Sequence, residues 1–172
     1  MALRKRARVQ GALAAVNGVA AGAGANIALA ADIVLAAKSA TFIQAFSKIS
    51  LIPDSGGTFF LPRLVGTQRA LALTLTGDKI TADEAMEMGM VYRVYEDEEF
   101  PHAWQTVAEG LAKGATKAYA LTKQLINQSF NNSLEDQLIA ERELQAEAGK
   151  TQDFREGVTA FLEKRKPAFI GK

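Results

Sequence analysis

Two short segments of the sequence carry residue types that could do chemistry. Asp54 lies within Leu51-Ile52-Pro53-Asp54-Ser55-Gly56-Gly57-Thr58, a glycine-rich turn between apolar residues, where a carboxylate can face a small-molecule pocket. The stretch Asn17–Asn26 consists mostly of small residues after a short apolar run, so its backbone N–H groups can approach a ligand oxygen at a helix N-terminus. An acid that moves a proton and donors that stabilise an oxyanion together predict enolate chemistry.

Each segment also has an ordinary structural explanation. Pro-Asp-Ser-Gly is a common turn sequence, and Asp54 could cap a helix that begins near Gly56. The small residues Gly22, Ala23 and Gly24 could serve only to let a helix pack closely on a strand. At this point both explanations stay open.

The composition excludes several classes of function. The chain has 172 residues, 48% of them hydrophobic, and a net charge of +1, which fits one globular core without electrostatic steering toward nucleic acid. It has no Cys and a single His102, too few ligands for a zinc centre, so we expect no metal site. No run of exclusively apolar residues approaches a membrane span, and the basic start at Arg4 to Arg8 is interpreted as a solvated lead-in. We expect a soluble, cytoplasmic protein that binds neither nucleic acid nor membrane.

The first hundred residues alternate between strand and helix patterns. Apolar runs predict strands over 12–16 and 32–37, separated by a small-residue helix over 23–31, which implies a parallel crossover. A third strand is predicted over 40–46, and the turn at 53–57 leads into a helix that extends through Leu64. The pattern is typical of an α/β layer.

After Leu64 every predicted segment but one is helical, the exception being a strand over 90–94. Thr67 is expected to cap a helix over 68–75, and Thr81 with Glu84 has capping-box spacing. Amphipathic helices are predicted over 101–113, 116–128, 133–148 and 153–164, and capping-box spacing recurs at Ser133/Asp136 and Asp153/Glu156. A helical tail of this kind usually packs on a neighbour.

Several motifs in fixed order resemble the crotonase (enoyl-CoA hydratase/isomerase) superfamily, and the resemblance extends from Ala12 to the C-terminus. It implies an α/β fold, with a partial crotonase-like ββα spiral core over residues 1–100 and a C-terminal helical trimerisation region over 101–172. The motifs are Ala14-Ala15-Val16-Asn17-Gly18, Gly22-Ala23-Gly24, Ala31-Asp32-Ile33, Pro53 to Thr58, Leu61-Pro62-Arg63-Leu64-Val65-Gly66, Thr76-Gly77 and Glu156-Gly157-Val158 through Lys172.

The resemblance also implies that whole crotonases have further ββα units before the Ala-Val-Asn-Gly strand. That segment supplies one of the two oxyanion-hole N–H groups and much of the coenzyme A site, and its counterpart is missing from this sequence. Three explanations stay open: a fragment, an aberrant gene product, or a chain that folds by borrowing contacts from neighbours.

By the same resemblance, the Ala23 N–H, next to Gly22, is one oxyanion donor. Hydratases of the family hold two glutamates, and here Asn26 and Phe46 stand at those positions. Neither exchanges a proton near neutral pH, whereas Asp54 lies where some isomerases of the superfamily carry their acid, among the apolar neighbours Ile52, Phe46, Phe59 and Phe60. A single shuttling carboxylate favours isomerase over hydratase.

Two further sets of residues could bind substrate. Phe46, Phe59 and Phe60 could line an acyl pocket for a ring-bearing group, or could be plain core. Lys164, Lys166 and Phe169 match the family's C-terminal signature, which often meets the adenine and phosphates of the coenzyme, but they also fit a solvated helix end with Pro167 as its stop.

Three functions follow, in order of preference. The first is an acyl-CoA isomerase that works through a thioester enolate, and the nearest resemblance is to members that isomerise a ring epoxide in phenylacetate breakdown. The second is an enoyl-CoA hydratase, and the third a non-catalytic remnant that only oligomerises. The expected partners are an acyl-CoA thioester and further copies of the chain, as a trimer or hexamer. Coenzyme A would be part of the substrate, with no tightly bound cofactor.

Overall fold

The computed structural model describes residues 11–172, so the basic residues Arg4 to Arg8 lie outside the described part. The described chain packs into two compact units. The core unit is Ala12–Thr106, and the C-terminal unit is Val107–Lys172. Each unit is described by itself.

Strands and helices alternate in the core unit, and helices dominate the rest of the chain. The strands are β1 (Leu13–Val16), β2 (Val19–Ala21), β3 (Ile33–Ala37), β4 (Thr41–Ile43), β5 (Lys79–Thr81) and β6 (Arg93–Tyr95). The α-helices are α1 (Ala23–Leu29), α2 (Gly57–Val65), α3 (Thr67–Thr76), α4 (Ala82–Glu87), α5 (Phe100–Ala112), α6 (Thr116–Ser129), α7 (Leu134–Ala148) and α8 (Gln152–Leu162). A 3₁₀ helix covers Ala45–Ile49.

A parallel sheet forms the centre of the core unit, with strand order β1-β3-β6. In the register Leu13 faces Ile33 and Val16 faces Ala36, so β1, α1 and β3 make the predicted parallel crossover. Four of the five residues of β3 are buried, which explains its continuous apolar sequence at the middle of the sheet.

A second sheet, ordered β2-β4-β5, was not predicted from the sequence. β2 pairs parallel to β4, and β4 pairs antiparallel to β5. The strands β2 and β5 have three residues each, too few for an alternating pattern to be seen in the sequence. The prediction of a single strand after Leu64 is therefore wrong, because β5 precedes β6.

Two predicted strands have different bounds in the structure. The strand predicted over 40–46 ends at Ile43, and Phe46 lies in the 3₁₀ helix instead. The strand predicted over 90–94 is observed at Arg93–Tyr95. Met90 and Val91 are each 3% exposed, so their apolar character reflects burial in the core and not sheet pairing.

Two of the four predicted caps are observed. Thr81 and Glu84 form a complete capping box, in which Thr81 N donates to Glu84 Oε2 at 2.7 Å and Glu84 N donates to Thr81 Oγ1 at 3.2 Å. Ser133 caps α7 by accepting from Asp136 N at 3.1 Å. Thr67 is the first residue of α3 and not its cap, because the N-cap position belongs to Gly66.

The predicted Asp153/Glu156 capping box is wrong. Thr151 caps α8, accepting from Phe154 N at 3.0 Å. Asp153 is 4% exposed and accepts from the backbone N–H groups of Ile170 at 2.7 Å and Gly171 at 2.8 Å. Its carboxylate therefore holds the last residues of the chain alongside α8.

Glu156 also binds the segment that follows α8. Its two carboxylate oxygens accept from Arg165 Nη1 at 2.6 Å and Nη2 at 2.9 Å, and Oε1 accepts from Ala168 N at 2.7 Å. The hydrogen bonds from the Arg165 guanidinium, followed by the one from Ala168, lower the pKa of Glu156 from 4.5 to about 2.

Apolar side chains remain exposed on the C-terminal unit. Leu121 is the buried residue of α6, whereas α7 has none. Leu134 on α7 is 76% exposed and Phe161 on α8 is 82% exposed. In residues 11–172 no helix is both long and apolar enough to cross a membrane.

The low pKa of Glu156 gives a testable dependence of stability on pH. Because the folded-state pKa lies below the unfolded one, this carboxylate stabilises the fold above about pH 4.5, and the contribution is lost as the pH falls toward 2. Glu156→Gln should lower the free energy of unfolding at neutral pH and flatten its decline between those values, as measured by urea unfolding at stepped pH. Glu98→Gln, at an exposed position, is the control. An unchanged slope in Glu156→Gln would contradict the assignment.

Candidate functional site

The Asp54 turn is a tight reversal with left-handed backbone at both central residues. Ser55 has φ 50° and Gly56 has φ 82°, while the Asp54 carbonyl accepts from Gly57 N at 2.8 Å. Glycine adopts such angles freely, but for Ser55 they cost about 1–3 kcal/mol, which contacts with neighbouring residues must offset. The chain therefore holds this turn in a conformation that its own sequence does not prefer.

The Asp54 carboxylate is not the helix cap that the ordinary explanation required. The N-cap of α2 is Gly56, and no side chain bonds to that helix start. Asp54 is exposed, and within residues 11–172 no hydrogen bond or ion pair to its carboxylate is observed. Only the backbone of Asp54 has a structural role here, so its side chain is available to a ligand.

A buried pair of amides holds the Asp54 backbone. Asn26, on α1, is 1% exposed and donates from Nδ2 to the Asp54 carbonyl at 3.0 Å. Its Oδ1 accepts from Gln44 Nε2 at 2.8 Å, and Gln44, which follows β4, is 3% exposed. The pair thus links the 3₁₀ helix region, α1 and the turn before α2.

Gly57 is part of the same contact. A Cβ built at Gly57 would overlap the carboxamide of Asn26, so only glycine fits where α2 begins. The close approach of these two residues explains why the second glycine of the turn is buried while the Asp54 side chain is exposed. The sequence analysis did not predict this requirement.

Gly22 and Ala23 form the junction between β2 and α1. Gly22 has φ 52° and ψ −124°, donates to the Ile43 carbonyl at 2.9 Å, and accepts from Asn26 N at 3.1 Å. Ala23 is the first residue of α1, and the first amides of a helix have no acceptor within it. Its N–H is therefore compatible with the predicted role as an oxyanion donor.

The three phenylalanines predicted to line a pocket divide into two groups. Phe46 is 9% exposed, and a Cβ at Gly22 would meet its Cζ at 3.6 Å, so its ring lies against the junction. Phe59 and Phe60 contact each other edge to face at 5.1 Å between centroids, and the Arg63 guanidinium covers the Phe59 ring.

The expected apolar enclosure of Asp54 is not formed by the described chain. Ile52 is 82% exposed, Phe59 is 51% exposed, and Asp54 itself is exposed. The reason is physical: the turn bends at the surface, and only its backbone reaches the buried amides. The carboxylate is therefore open to solvent or to whatever covers this surface.

The remaining predicted residues belong to the C-terminal unit. Lys164 and Lys166 are exposed, and Lys164, two residues after the end of α8, has a left-handed φ of 54°. Phe169 is partly buried, with its ring facing Gly157 of α8 at 3.6 Å from a Cβ built there. Within residues 11–172 no group of three or more His, Cys, Asp or Glu residues is arranged to hold a metal ion.

Sequence reasoning missed the part played by Gln44. A glutamine at the end of an otherwise apolar strand, Thr41-Phe42-Ile43-Gln44, is the signal that could have indicated a buried polar partner. Asn26 was noted only because the family carries a glutamate there. The structure places both side chains in one hydrogen-bonded pair behind the candidate catalytic turn.

Comparison with known proteins identifies the family. The model of the enoyl-CoA hydratase/isomerase family matches residues 10–172, and the chain belongs to that family. It is 52% identical over 160 residues to a "Probable enoyl-CoA hydratase" of Rhodobacter capsulatus, covering 93% of this chain and 62% of that protein. It is 51% identical to the 1,2-epoxyphenylacetyl-CoA isomerase of Escherichia coli K12, covering 93% of this chain and 61% of that enzyme.

Solved structures agree with the fold. The crystal structure of an enoyl-CoA hydratase from Bacillus anthracis superposes with a TM-score of 0.93 at 34% identity, covering 99% of this chain and 66% of that one. The crotonase-type α/β fold with a helical C-terminal region is thus confirmed. The chain spans about three fifths of the length of the curated relatives it matches.

The contact between Gly57 and Asn26 yields a prediction for stability. Gly57→Ala should force the Asn26 carboxamide away from its two partners, leaving buried polar groups unpaired at about 1–3 kcal/mol. We expect a lower free energy of unfolding of that size, measured by chemical denaturation. Gly110→Ala, inside α5 with nothing near its added Cβ, is the matched control and should be stabilising. Equal effects in both variants would refute the close packing.

Proposed function

We propose that this chain carries the proton-transfer part of an acyl-CoA isomerase site, in which Asp54 moves the proton and the Ala23 N–H stabilises the oxyanion. The observation that carries the proposal is the Asp54 turn: its carbonyl accepts hydrogen bonds from Gly57 N and from the buried Asn26 amide, while its carboxylate is exposed and unbonded within residues 11–172. A general base must be positioned accurately and still be free to take a proton.

The proposed reaction needs one carboxylate. Asp54 accepts the proton from a carbon next to the thioester carbonyl, and the electron pair of the broken C–H bond forms the enolate, whose charge rests on the carbonyl oxygen near the Ala23 N–H. The same proton then returns to a different carbon. With a ring epoxide, the enolate electron pair instead forms a new C=C bond as the epoxide C–O bond breaks, and the resulting alkoxide takes the proton back from Asp54. No oxidant or second substrate is consumed.

The residues at the two glutamate positions support isomerisation. Hydration of a double bond needs one group to deprotonate water and another to protonate the α-carbon. The amide of Asn26 is already committed to Gln44 and Asp54, and Phe46 is a buried hydrocarbon. Neither side chain can exchange a proton at neutral pH, whereas one shuttling carboxylate is sufficient for an isomerase.

A hydratase is the second candidate. The relative from Rhodobacter capsulatus carries that activity in its name, and its identity to this chain is similar to that of the epoxide isomerase. A hydratase would need a further carboxylate to act in place of those missing at Asn26 and Phe46. Comparing turnover of crotonyl-CoA with that of an isomerase substrate separates the two activities.

For the substrate we propose an acyl-CoA thioester that carries an aromatic-derived ring epoxide. Support comes from the Escherichia coli relative, which is named as an isomerase of 1,2-epoxyphenylacetyl-CoA. Phe46, Phe59 and Phe60 would contact the acyl group. Lys164, Lys166 and Phe169 would contact the coenzyme, which enters as part of the substrate. This assignment would place the protein in phenylacetate degradation.

We further propose that the chain assembles as a trimer or hexamer through its C-terminal unit. Large apolar side chains on α7 and α8 are exposed, and a core of this size leaves them uncovered. They are Leu134, Leu138 and Ile139 on α7, with Phe154, Val158, Phe161 and Leu162 on α8. Without turnover, self-association alone would favour the third candidate, a non-catalytic chain that only oligomerises.

Removing the exchangeable proton of Asp54 tests the mechanism. Asp54→Asn keeps the size of the side chain and every backbone bond of the turn, so the melting temperature should stay within a few degrees of the parent. Isomerisation of the epoxide acyl-CoA should fall by about a hundredfold or more, the scale of a lost general base. Steady-state kinetics and thermal unfolding are measured on the same samples.

The matched control is Asp78→Asn, the same chemical change at another exposed turn aspartate, which should leave both quantities unchanged. Turnover retained by Asp54→Asn, or crotonyl-CoA hydration faster than isomerisation in the parent, would contradict the single-carboxylate mechanism. Absence of both activities in the parent would contradict the proposed enzyme itself.

Self-association has its own test. Sedimentation velocity at micromolar concentration should show a species larger than the monomer, and Leu138→Glu or Phe161→Glu should shift it toward monomer, because each places a charge in an apolar contact. Gln124→Glu adds the same charge at an exposed polar position of α6 and should not shift it. A folded monomer in the parent would overturn the proposed assembly.

A further inference from the structure

We propose that Asn26 and Gln44 are positioning residues, a buried amide pair that holds the Asp54 turn in the shape that presents its carboxylate. The catalytic consequence rests on the proposed function, whereas the conformational one does not. The family resemblance implies a catalytic glutamate at this position. Asn26 would instead affect the reaction through Asp54, without touching substrate.

The polarity of the pair is fixed by the backbone it serves. A carbonyl oxygen can only accept a hydrogen bond, so the Asp54 carbonyl requires Nδ2 of Asn26 on its side. Oδ1 must then face Gln44, which in turn must present Nε2. Each amide therefore has one possible orientation. An ionised carboxylate at position 26 could not donate to the Asp54 carbonyl, and one at position 44 could not donate to Asn26.

The turn needs this support because its backbone is strained. Ser55 has φ 50°, a value that residues other than glycine rarely adopt. The turn is closed by a single backbone hydrogen bond, from Gly57 N to the Asp54 carbonyl. The same carbonyl oxygen accepts a second hydrogen bond, from Asn26 Nδ2. Without it, the favourable angles for Ser55 lie elsewhere and the carboxylate would be presented in several directions.

Burial makes the two bonds strong and specific. Asn26 and Gln44 are 1% and 3% exposed; the bond between them is buried and the bond to the Asp54 carbonyl is partly buried, so competition from water is reduced. Gly57 packs against the Asn26 carboxamide and prevents it from turning away. The pair joins α1 and the end of β4 to the turn, and in this way the position of Asp54 depends on the core of the unit.

Hydrogen exchange tests the conformational part without any substrate. Asn26→Asp and Gln44→Glu are close in size to the parent residues, and exchange is measured at alkaline pH, where the introduced carboxyl groups ionise and lack the donors to the Asp54 carbonyl and to Asn26. Each variant should speed exchange of the Gly57 amide by about tenfold or more compared with the parent, beyond any change shared by amides that exchange only on global unfolding. The reason is that the Gly57 amide closes the turn. Exchange unchanged in both variants would overturn the proposal.

A compensating substitution and a distant control sharpen this result. Ser55→Gly removes the strain, so adding it to Asn26→Asp should slow Gly57 exchange again, and should restore folding if Asn26→Asp alone fails to fold. Failure of that rescue would overturn the strain argument. Gln137→Glu removes a comparable donor, to the Leu125 carbonyl in the C-terminal unit, and should affect Gly57 only through global stability.

Kinetics test whether the pair acts through Asp54. Asn26→Asp should lower kcat about tenfold with little change in KM, as expected for a displaced base, while Gln137→Glu should lower neither. In the Asp54→Asn background Asn26→Asp should cost nothing further. Additive losses would indicate a general structural effect and overturn the positioning role. If Asp54→Asn itself loses no activity, the proposed function fails, and the exchange result still decides the conformational part.

Discussion

The carboxamide of Asn26 joins parts of the core unit that lie far apart along the chain. Its partners are 18 and 28 residues away, one after β4 and the other in the turn before α2. The bond to Gln44 is buried and the bond to the Asp54 carbonyl is partly buried, and Gly57 leaves no space for the amide to move. The shape of the candidate site therefore depends on long-range packing, because the local sequence of the turn, with a serine in left-handed backbone, does not favour it.

Local signals predicted the elements whose sequence pattern is contained within the element itself. The five-residue strand β3 is continuous in apolar character because it is the middle of a parallel sheet, and the Thr81/Glu84 box is encoded within four residues. The strands β2 and β5 were missed because three residues show no period. Asp153 and Glu156 have the spacing of a capping box, but their partners come from the end of the chain, which spacing alone cannot reveal.

The same distinction applies to the site. Asp54 was noticed because an acid on a glycine-rich turn is a local pattern, whereas the roles of Gly22 and Ala23 within the small-residue stretch came from the family resemblance. The hydrogen bonds of Asn26 and Gln44 were not predicted. They form only when α1, the residue after β4 and the turn before α2 come together in the fold. In the folded chain the side-chain nitrogen of Asn26 is the donor to the Asp54 carbonyl.

The burial of Asn26 also affects its resistance to deamidation. An asparagine amide can hydrolyse to a carboxylate with age, a change of one atom that here would replace the donor facing Asp54 with an acceptor. At 1% exposure, inside a helix and covered by Gly57, the amide is kept from water and from the backbone freedom that the reaction needs. The packing that holds the Asp54 turn would then also slow the deamidation of Asn26.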